Sequence, residues 1–142
     1  MDWLPKNKIV VPVDFSDESI HAVDEARRMV EDASHIHVIH VLSILAATEP
    51  GVVWDTLNDE TRVEHTEKEL REQFSDQKYQ GIHFAVGLGD PGTEIAAHAE
   101  RLGADLIVLP SHGRTGLKRL LIGSVAERVC RLAHGPVLVL RS

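Results

Sequence analysis

Few of the features that mark export, membrane insertion or disulfide formation are present in this chain. Of its 142 residues only Cys130 is a cysteine, so no disulfide can form within the chain, which fits a reducing compartment. No apolar run approaches the roughly 20 residues that cross a bilayer. Residues 1–8 lack the apolar stretch of a secretion signal. We therefore expect a cytoplasmic protein that is not inserted in a membrane.

Positive charge is in the minority. The chain has 15 Lys and Arg against 22 Asp and Glu, a net charge of −7 with neutral histidines. Such a chain repels polyanions as a whole, which argues against a general nucleic-acid or anionic-membrane surface. The 43% apolar and 26% charged shares are ordinary for a folded globular protein. Together with the length, they predict one domain over residues 1–142.

Five short apolar runs have the length and the β-branched composition of strands: Ile9–Val13, Ile36–Leu42, Ile82–Leu88, Leu106–Leu109 and Pro136–Leu140. Helical patterns separate them: Ser16 to about Asp32, Thr56 to about Asp76, a helix opened by Asp90 and Pro91 and stopped by Gly103, and Ser124–Leu132. This alternation predicts an α/β fold with an open, five-stranded parallel sheet and helices on both faces. Ligands of such sheets bind beyond the carboxyl ends of the strands, where the strand order reverses.

The segment after the fourth strand reverses the charge of the chain. Residues 111–122 carry Arg114, Lys118 and Arg119 and no acidic residue. Gly113 and Gly116 lie among them, and glycine lets a phosphate approach the backbone closely. This composition predicts an anion site. The alternative is a set of ordinary turn glycines beside a solvated basic face.

The helix that follows this segment offers a second phosphate-binding feature. Gly123 and Ser124 open it, and a helix N-terminus presents unpaired N–H groups with partial positive charge. In the first helix, by contrast, Asp17 and Glu18 occupy the positive end and would repel phosphate. Of these two helix starts, we expect only the one at Ser124 to accept an anion.

Other chemistry is limited by what the motifs lack. No glycine-rich loop ends in Gly-Lys-Ser or Gly-Lys-Thr, and no G-x-G-x-x-G follows the first strand, which excludes a P-loop and an NAD motif. Asp14, which closes the first strand, could accept hydrogen bonds from a ribose or hold a metal through water, or it could cap the first helix. Cys130 shares helical spacing with the core, where we expect it. The histidines at 35, 37 and 40 are interpreted as isolated, and we assign no protein metal site.

The run Pro110-Ser111-His112-Gly113, followed by nine residues and Gly123-Ser124, resembles the nucleotide motif of the universal stress protein family, G-x-x-G, nine residues, G-S/T. The resemblance covers nearly the whole chain through further segments: Ile9–Ser16, His40-Val41, Gly89-Asp90-Pro91 and Gly135–Leu140. One departure is that Pro110 replaces the first glycine. Proline has neither a free N–H nor the backbone range of glycine.

The resemblance implies a Rossmann-like sheet of the adenine nucleotide alpha hydrolase type, with strand order 3-2-1-4-5, in a homodimer whose last strands pair. It implies ATP as ligand, with Mg²⁺ or Mn²⁺ accompanying the nucleotide. It places Pro12, Val13 and Val41 near adenine and Asp14 near the ribose. The ribose and phosphate path would be lined by Gly113, Arg114, Gly123, Ser124 and Val125, and Pro110 and His112 belong to the same motif.

Three functions are compatible with these residues. The first is an ATP-binding stress-response regulator or nucleotide-dependent interaction module, for which no catalytic residue is assigned. The second is a homodimeric scaffold that has lost nucleotide binding through Pro110 and works through Val137, Val139 and their neighbours. The third is a slow ATPase or phosphoryl-transfer enzyme with His112 as base.

Overall fold

The apolar runs of the sequence form one parallel sheet in the computed structural model, which describes residues 2–44, 58–111 and 122–141. The strands in these ranges are β1 Ile9–Pro12, β2 Ile36–Leu42, β3 His83–Leu88, β4 Leu106–Pro110 and β5 Val137–Leu140. Their order is β3-β2-β1-β4-β5, with every neighbouring pair parallel. The predicted α/β fold and strand order are therefore confirmed.

Helices cover both faces of this sheet. They are α1 Asp17–Arg27, α2 Asp59–Gln73, α3 Pro91–Leu102 and α4 Ser124–Leu132, with short 3₁₀ turns at Ala33–His35 and Gln77–Tyr79. On one face, Ala22 and Val23 of α1, Leu70 of α2 and Phe74 just after α2 form a core with Val11, Val38 and Val108 of the strands. On the other face, α3 and α4 contribute Ile95, Ala99, Ala126 and Val129 to a core with Val10, Ile39 and Ile107. Alternate strand residues thus supply two separate apolar layers.

The predicted start and stop of α3 are confirmed. Asp90 is its N-cap and accepts a hydrogen bond from the Thr93 amide at 3.0 Å, and Pro91 is the first helical residue. Gly103 ends the helix with a φ of 68°, a left-handed conformation that glycine adopts without strain. Local sequence therefore decides both ends of this helix.

The predicted ends of two other helices are wrong. Helix α1 stops at Arg27 rather than near Asp32. The chain leaves the helix in a tighter turn after this residue, and the Met29 carbonyl accepts a hydrogen bond from the Lys6 amide at 2.8 Å. Helix α2 begins after its N-cap Asn58 and ends before Phe74, inside the predicted bounds. Among the described residues, no helix is long and apolar enough to cross a membrane.

Cys130 is exposed, which corrects the expectation that it lies in the core. The buried stripe of α4 consists of Ala126 and Val129. One further residue turns a helix by about 100°, so the side chain after Val129 points away from this narrow stripe. The thiol lies on the surface of the helix.

Candidate functional site

The strand order reverses at β1, which lies between β2 and β4. Pro12 ends β1, and Val13 and Asp14 follow it at the carboxyl edge of the sheet. The register pairs Val10 with Ile107, and continuing it by three residues brings Pro110 level with Val13. The two segments on which the predicted nucleotide site depends therefore leave neighbouring strands at the same height.

Asp14 belongs to the turn that starts α1. Its Oδ1 atom accepts hydrogen bonds from the amide of Ser16, at 3.1 Å, and from the Ser16 hydroxyl. The Ser16 hydroxyl in turn caps α1 by accepting the Ser19 amide at 3.2 Å. The alternative capping role of Asp14 is thus present in the structure. A carboxylate can accept about four hydrogen bonds, so capping and a ribose contact are compatible.

A histidine of β2 holds the segment that carries Asp14. The Nδ1 atom of His40 lies 2.6 Å from the Val13 carbonyl oxygen, and the Val13 amide donates to the Ile39 carbonyl at 2.8 Å. His40 was not among the predicted site residues. The pattern that could have identified it is a polar residue on the face of β2 that also carries Ile36 and Val38, both of which are fully buried. Val41, the next residue, is partly buried near the end of β2.

The start of α4 is tied directly to the end of β4. The Ser111 amide donates to the Leu140 carbonyl at 2.8 Å, and the Ser111 carbonyl accepts the Gly123 amide at 2.6 Å. Ser111 is buried, with 3% of its surface exposed. Ser111 lies within the predicted motif, but its residue type gives no signal for either bond, because its backbone makes both. The bonds fix the first turn of α4 at the carboxyl edge of the sheet.

The N-terminus of α4 differs from the other helix starts. Side chains of Ser16, Asn58 and Asp90 cap α1, α2 and α3. The N-cap of α4 is Gly123, which has no side chain to do so. Ser124 and Val125, its first two residues, are exposed. Since the first amides of a helix lack partners within the helix, this start is suited to an external anion.

Pro110 is the last residue of β4 and pairs with Leu140. Successive N–H groups of a strand point to opposite neighbours. Because the Ser111 amide points to β5, the nitrogen of Pro110 points to the β1 side, where β1 has already ended at Pro12. The missing N–H therefore removes no bond to β5, and the proline is accommodated at the end of the strand.

Several residues of the predictions lie outside the described residues. They are His112, Gly113, Arg114, Gly116, Lys118 and Arg119. The basic charge expected beside the phosphates belongs to this segment. Those assignments remain predictions from the motif.

The histidines of the sheet form contacts of their own. His35 precedes β2 and its Nδ1 atom lies 2.7 Å from the Asn7 carbonyl oxygen. His37 stacks on His83 of β3, with ring centroids 4.6 Å apart and planes inclined by 13°. Burial, reinforced by the neighbouring positive groups, lowers the pKa of His37 to about 4. Within the described ranges, no three His, Cys, Asp or Glu side chains are grouped to hold a metal ion.

A model of the universal stress protein family matches residues 6–141. The chain belongs to this family. The predicted family assignment is therefore confirmed over nearly the full length of the sequence.

Individual family members resemble the chain along most of their length. Universal stress protein MJ0531 of Methanocaldococcus jannaschii is 36% identical over 143 residues, covering 94% of this chain and 81% of the relative. YxiE of Bacillus subtilis is 30% identical over 147 residues, covering 95% of this chain and 99% of the relative.

Solved structures of the family share the fold. The structure of MJ0577, solved to assign its biochemical function, is 26% identical with a TM-score of 0.79 and covers 98% of both chains. UspA of Lactobacillus plantarum is 26% identical with a TM-score of 0.73 and covers 99% of this chain and all of its own. A universal stress protein solved with cAMP is 23% identical with a TM-score of 0.63, covering 96% and 98% of the two chains, a likeness that concerns the fold.

Proposed function

We propose that this chain binds ATP, together with Mg²⁺ or Mn²⁺, at the carboxyl edge between β1 and β4. Nucleotide binding would regulate a stress response or an interaction with another protein in the cytoplasm. The observation that carries the proposal is the 2.6 Å hydrogen bond from the Gly123 amide to the Ser111 carbonyl. This bond holds the start of α4, which has no capping side chain, beside the end of β4. The end of β4 is adjacent to the end of β1, which leads to Asp14.

The chemistry of the two segments supports different parts of the nucleotide. The amides at the start of α4 suit phosphate, because they combine N–H donors with the positive end of a helix dipole. The Asp14 carboxylate suits the ribose, whose hydroxyl groups are hydrogen-bond donors. Pro12, Val13 and Val41 offer apolar surface for the adenine. The basic residues of the motif, Arg114 above all, would add positive charge near the phosphates.

A variant at the helix start tests the phosphate contact. Ser124→Asp places a negative charge in the first turn of α4, where it favours the helix and opposes a phosphate. Isothermal titration with ATP and Mg²⁺ should show affinity weakened on the order of tenfold, with the affinity for adenosine nearly unchanged. The matched control is Ser75→Asp, which adds the same charge at an exposed residue after α2. Equal affinities of wild type and Ser124→Asp for ATP would contradict the proposal.

We propose further that the chain forms a homodimer through β5. This strand lies at an edge of the sheet, and its four residues, Val137–Leu140, are all apolar and only partly buried. An unpaired apolar edge favours pairing with another strand. The same edge supports the second candidate function, a homodimeric scaffold without nucleotide. A dimer that does not bind ATP at millimolar concentration would favour that function.

A further inference from the structure

We infer that His40 is a positioning residue that sets the direction of the Asp14 carboxylate, an inference that rests on the nucleotide site proposed above. His40 lies on β2, 26 positions beyond Asp14 in the chain. Its contacts are with the residues on either side of Asp14, so it acts on the carboxylate through the backbone.

The first contact fixes Val13. A carbonyl oxygen can only accept, so the His40 Nδ1 atom, 2.6 Å away, must carry the proton and donate it. The amide of the same residue donates to the Ile39 carbonyl of β2 at 2.8 Å. Both backbone polar groups of Val13 are therefore held by β2, one by its backbone and one by a side chain. Val13 is 5% exposed, so its carbonyl would be poorly hydrated without this donor.

The second contact supports Phe15. This residue has a φ of 64°, a left-handed conformation that is unfavourable for a bulky side chain. Such a conformation persists where surrounding contacts hold it. The centroids of the Phe15 and His40 rings lie 5.1 Å apart, and the ring planes are inclined by 54°. One side chain therefore contacts the residue before Asp14 and the residue after it.

The turn of α1 supplies a further anchor. The Asp14 amide donates to the Ser19 hydroxyl at 3.3 Å, and Oδ1 accepts from Ser16. The α1 side holds Asp14 itself, and the β2 side holds its two neighbours. Removing the donor on β2 would leave the capping bonds in place, but the Val13–Asp14 peptide would then be held only by the longer 3.3 Å bond from the Asp14 amide to the Ser19 hydroxyl, so its orientation would vary more. The carboxylate would then lose its fixed aim at the ribose.

Two substitutions at the same position separate the donor from the ring. His40→Phe keeps an aromatic ring against Phe15 and loses the Nδ1 proton. His40→Asn loses the ring but can place its amide nitrogen near the position of Nδ1 and donate to Val13. Isothermal titration well below the melting temperature of each variant should show that His40→Phe weakens ATP binding roughly tenfold. This is the effect of losing one hydrogen bond to a charged group, here the bond between the ribose and the Asp14 carboxylate. His40→Asn should stay within roughly threefold of the wild type, a difference under 1 kcal/mol in binding free energy.

A double-mutant cycle with Asp14→Asn identifies the route of the effect. If His40 acts through the carboxylate, His40→Phe should cause no further loss of affinity in the Asp14→Asn background. A general structural role would weaken binding equally in both backgrounds, and that result would overturn the inference. So would equal affinities of wild type and His40→Phe. Absence of ATP binding by the wild type would instead reject the proposed site, and the role of His40 with it.

Discussion

Gly92 of α3 lies directly against the side chain of Arg128 on α4. A Cβ atom at Gly92 would come within 2.7 Å of the Arg128 Cβ, closer than real side chains approach. The same arginine forms an ion pair with Asp90 through Nε at 2.9 Å. The absence of a side chain at Gly92 therefore lets the two helices approach, and the position of α4 sets where its first amides lie.

We expect Gly92→Ala to lower the free energy of unfolding by about 1–3 kcal/mol, the usual cost of overpacking. The clash involves the Cβ of Arg128, which is fixed to its backbone, so the side chain cannot relieve it by rotating. Urea denaturation measures the effect. Gly135→Ala is the matched control, since its Cβ would meet only the Ala104 carbonyl at an ordinary 3.8 Å. Equal stabilities of the two variants would show that the helices adjust freely.

Pro110→Gly tests whether the proline of the motif obstructs the ligand. Because the nitrogen of Pro110 points away from β5, the substitution should leave the strand pairing intact. We expect a loss of about 1 kcal/mol in stability, from the larger conformational freedom of glycine in the unfolded chain. ATP affinity should change less than about threefold, a difference under 1 kcal/mol. Binding by Pro110→Gly alone, with none by the wild type, would favour the scaffold function.

Val139→Pro tests the proposed dimer through β5. The carbonyl groups of Pro136 and Leu140 accept bonds from β4, at 3.1 and 2.8 Å. Backbone groups alternate in direction along a strand, so the Val139 amide points to the open edge. Proline at 139 should therefore block pairing with a second chain while sparing the bonds to β4.

Light scattering after size-exclusion chromatography should give a dimer for the wild type and a monomer for Val139→Pro. Val139→Ala removes most of the side chain but keeps the amide, and it should remain a dimer. A monomeric wild type would contradict the proposed assembly. A dimeric Val139→Pro would place its interface elsewhere on the molecule.

Local signals predicted much of this fold. The bounds of β2 are those of its apolar run, and Asp90, Pro91 and Gly103 mark the ends of α3 as expected. Each of these features depends on residues close in sequence. The helix predicted from Ser16 also depends on local residues, since the Ser16 side chain caps the start of α1.

The features that the sequence did not reveal depend on distant contacts. Helix α1 ends early where the Met29 carbonyl accepts a hydrogen bond from the Lys6 amide. The His40 side chain forms a hydrogen bond with the carbonyl of Val13, 27 residues earlier in the chain. Cys130 lies beside the buried stripe of α4, and spacing alone could not tell how narrow that stripe is. Such outcomes are set by tertiary packing, which leaves no local pattern.

The stacked pair His37 and His83 makes stability depend on pH. Burial is the main cause that lowers the His37 pKa from its usual 6.5 to about 4, and the charges of His83, Lys8 and His98 add to it. Between these two pH values the unfolded chain binds more protons at this residue than the folded chain does. Stability therefore falls as the pH drops from about 6.5 to about 4, and below that range the loss is complete.

His37→Gln should reduce this loss by about 1–2 kcal/mol, a value that allows for solvent screening of a partly exposed ring. Urea denaturation at pH 7 and at pH 4.5 gives the loss for each protein. His65→Gln is the control, because His65 is exposed and contacts only Glu69 among the ion pairs found in the described residues. The difference between variants cancels the titration of the carboxylates, which is common to all three proteins. Parallel loss in wild type and His37→Gln would mean that the stacked ring is protonated in the folded state at little cost.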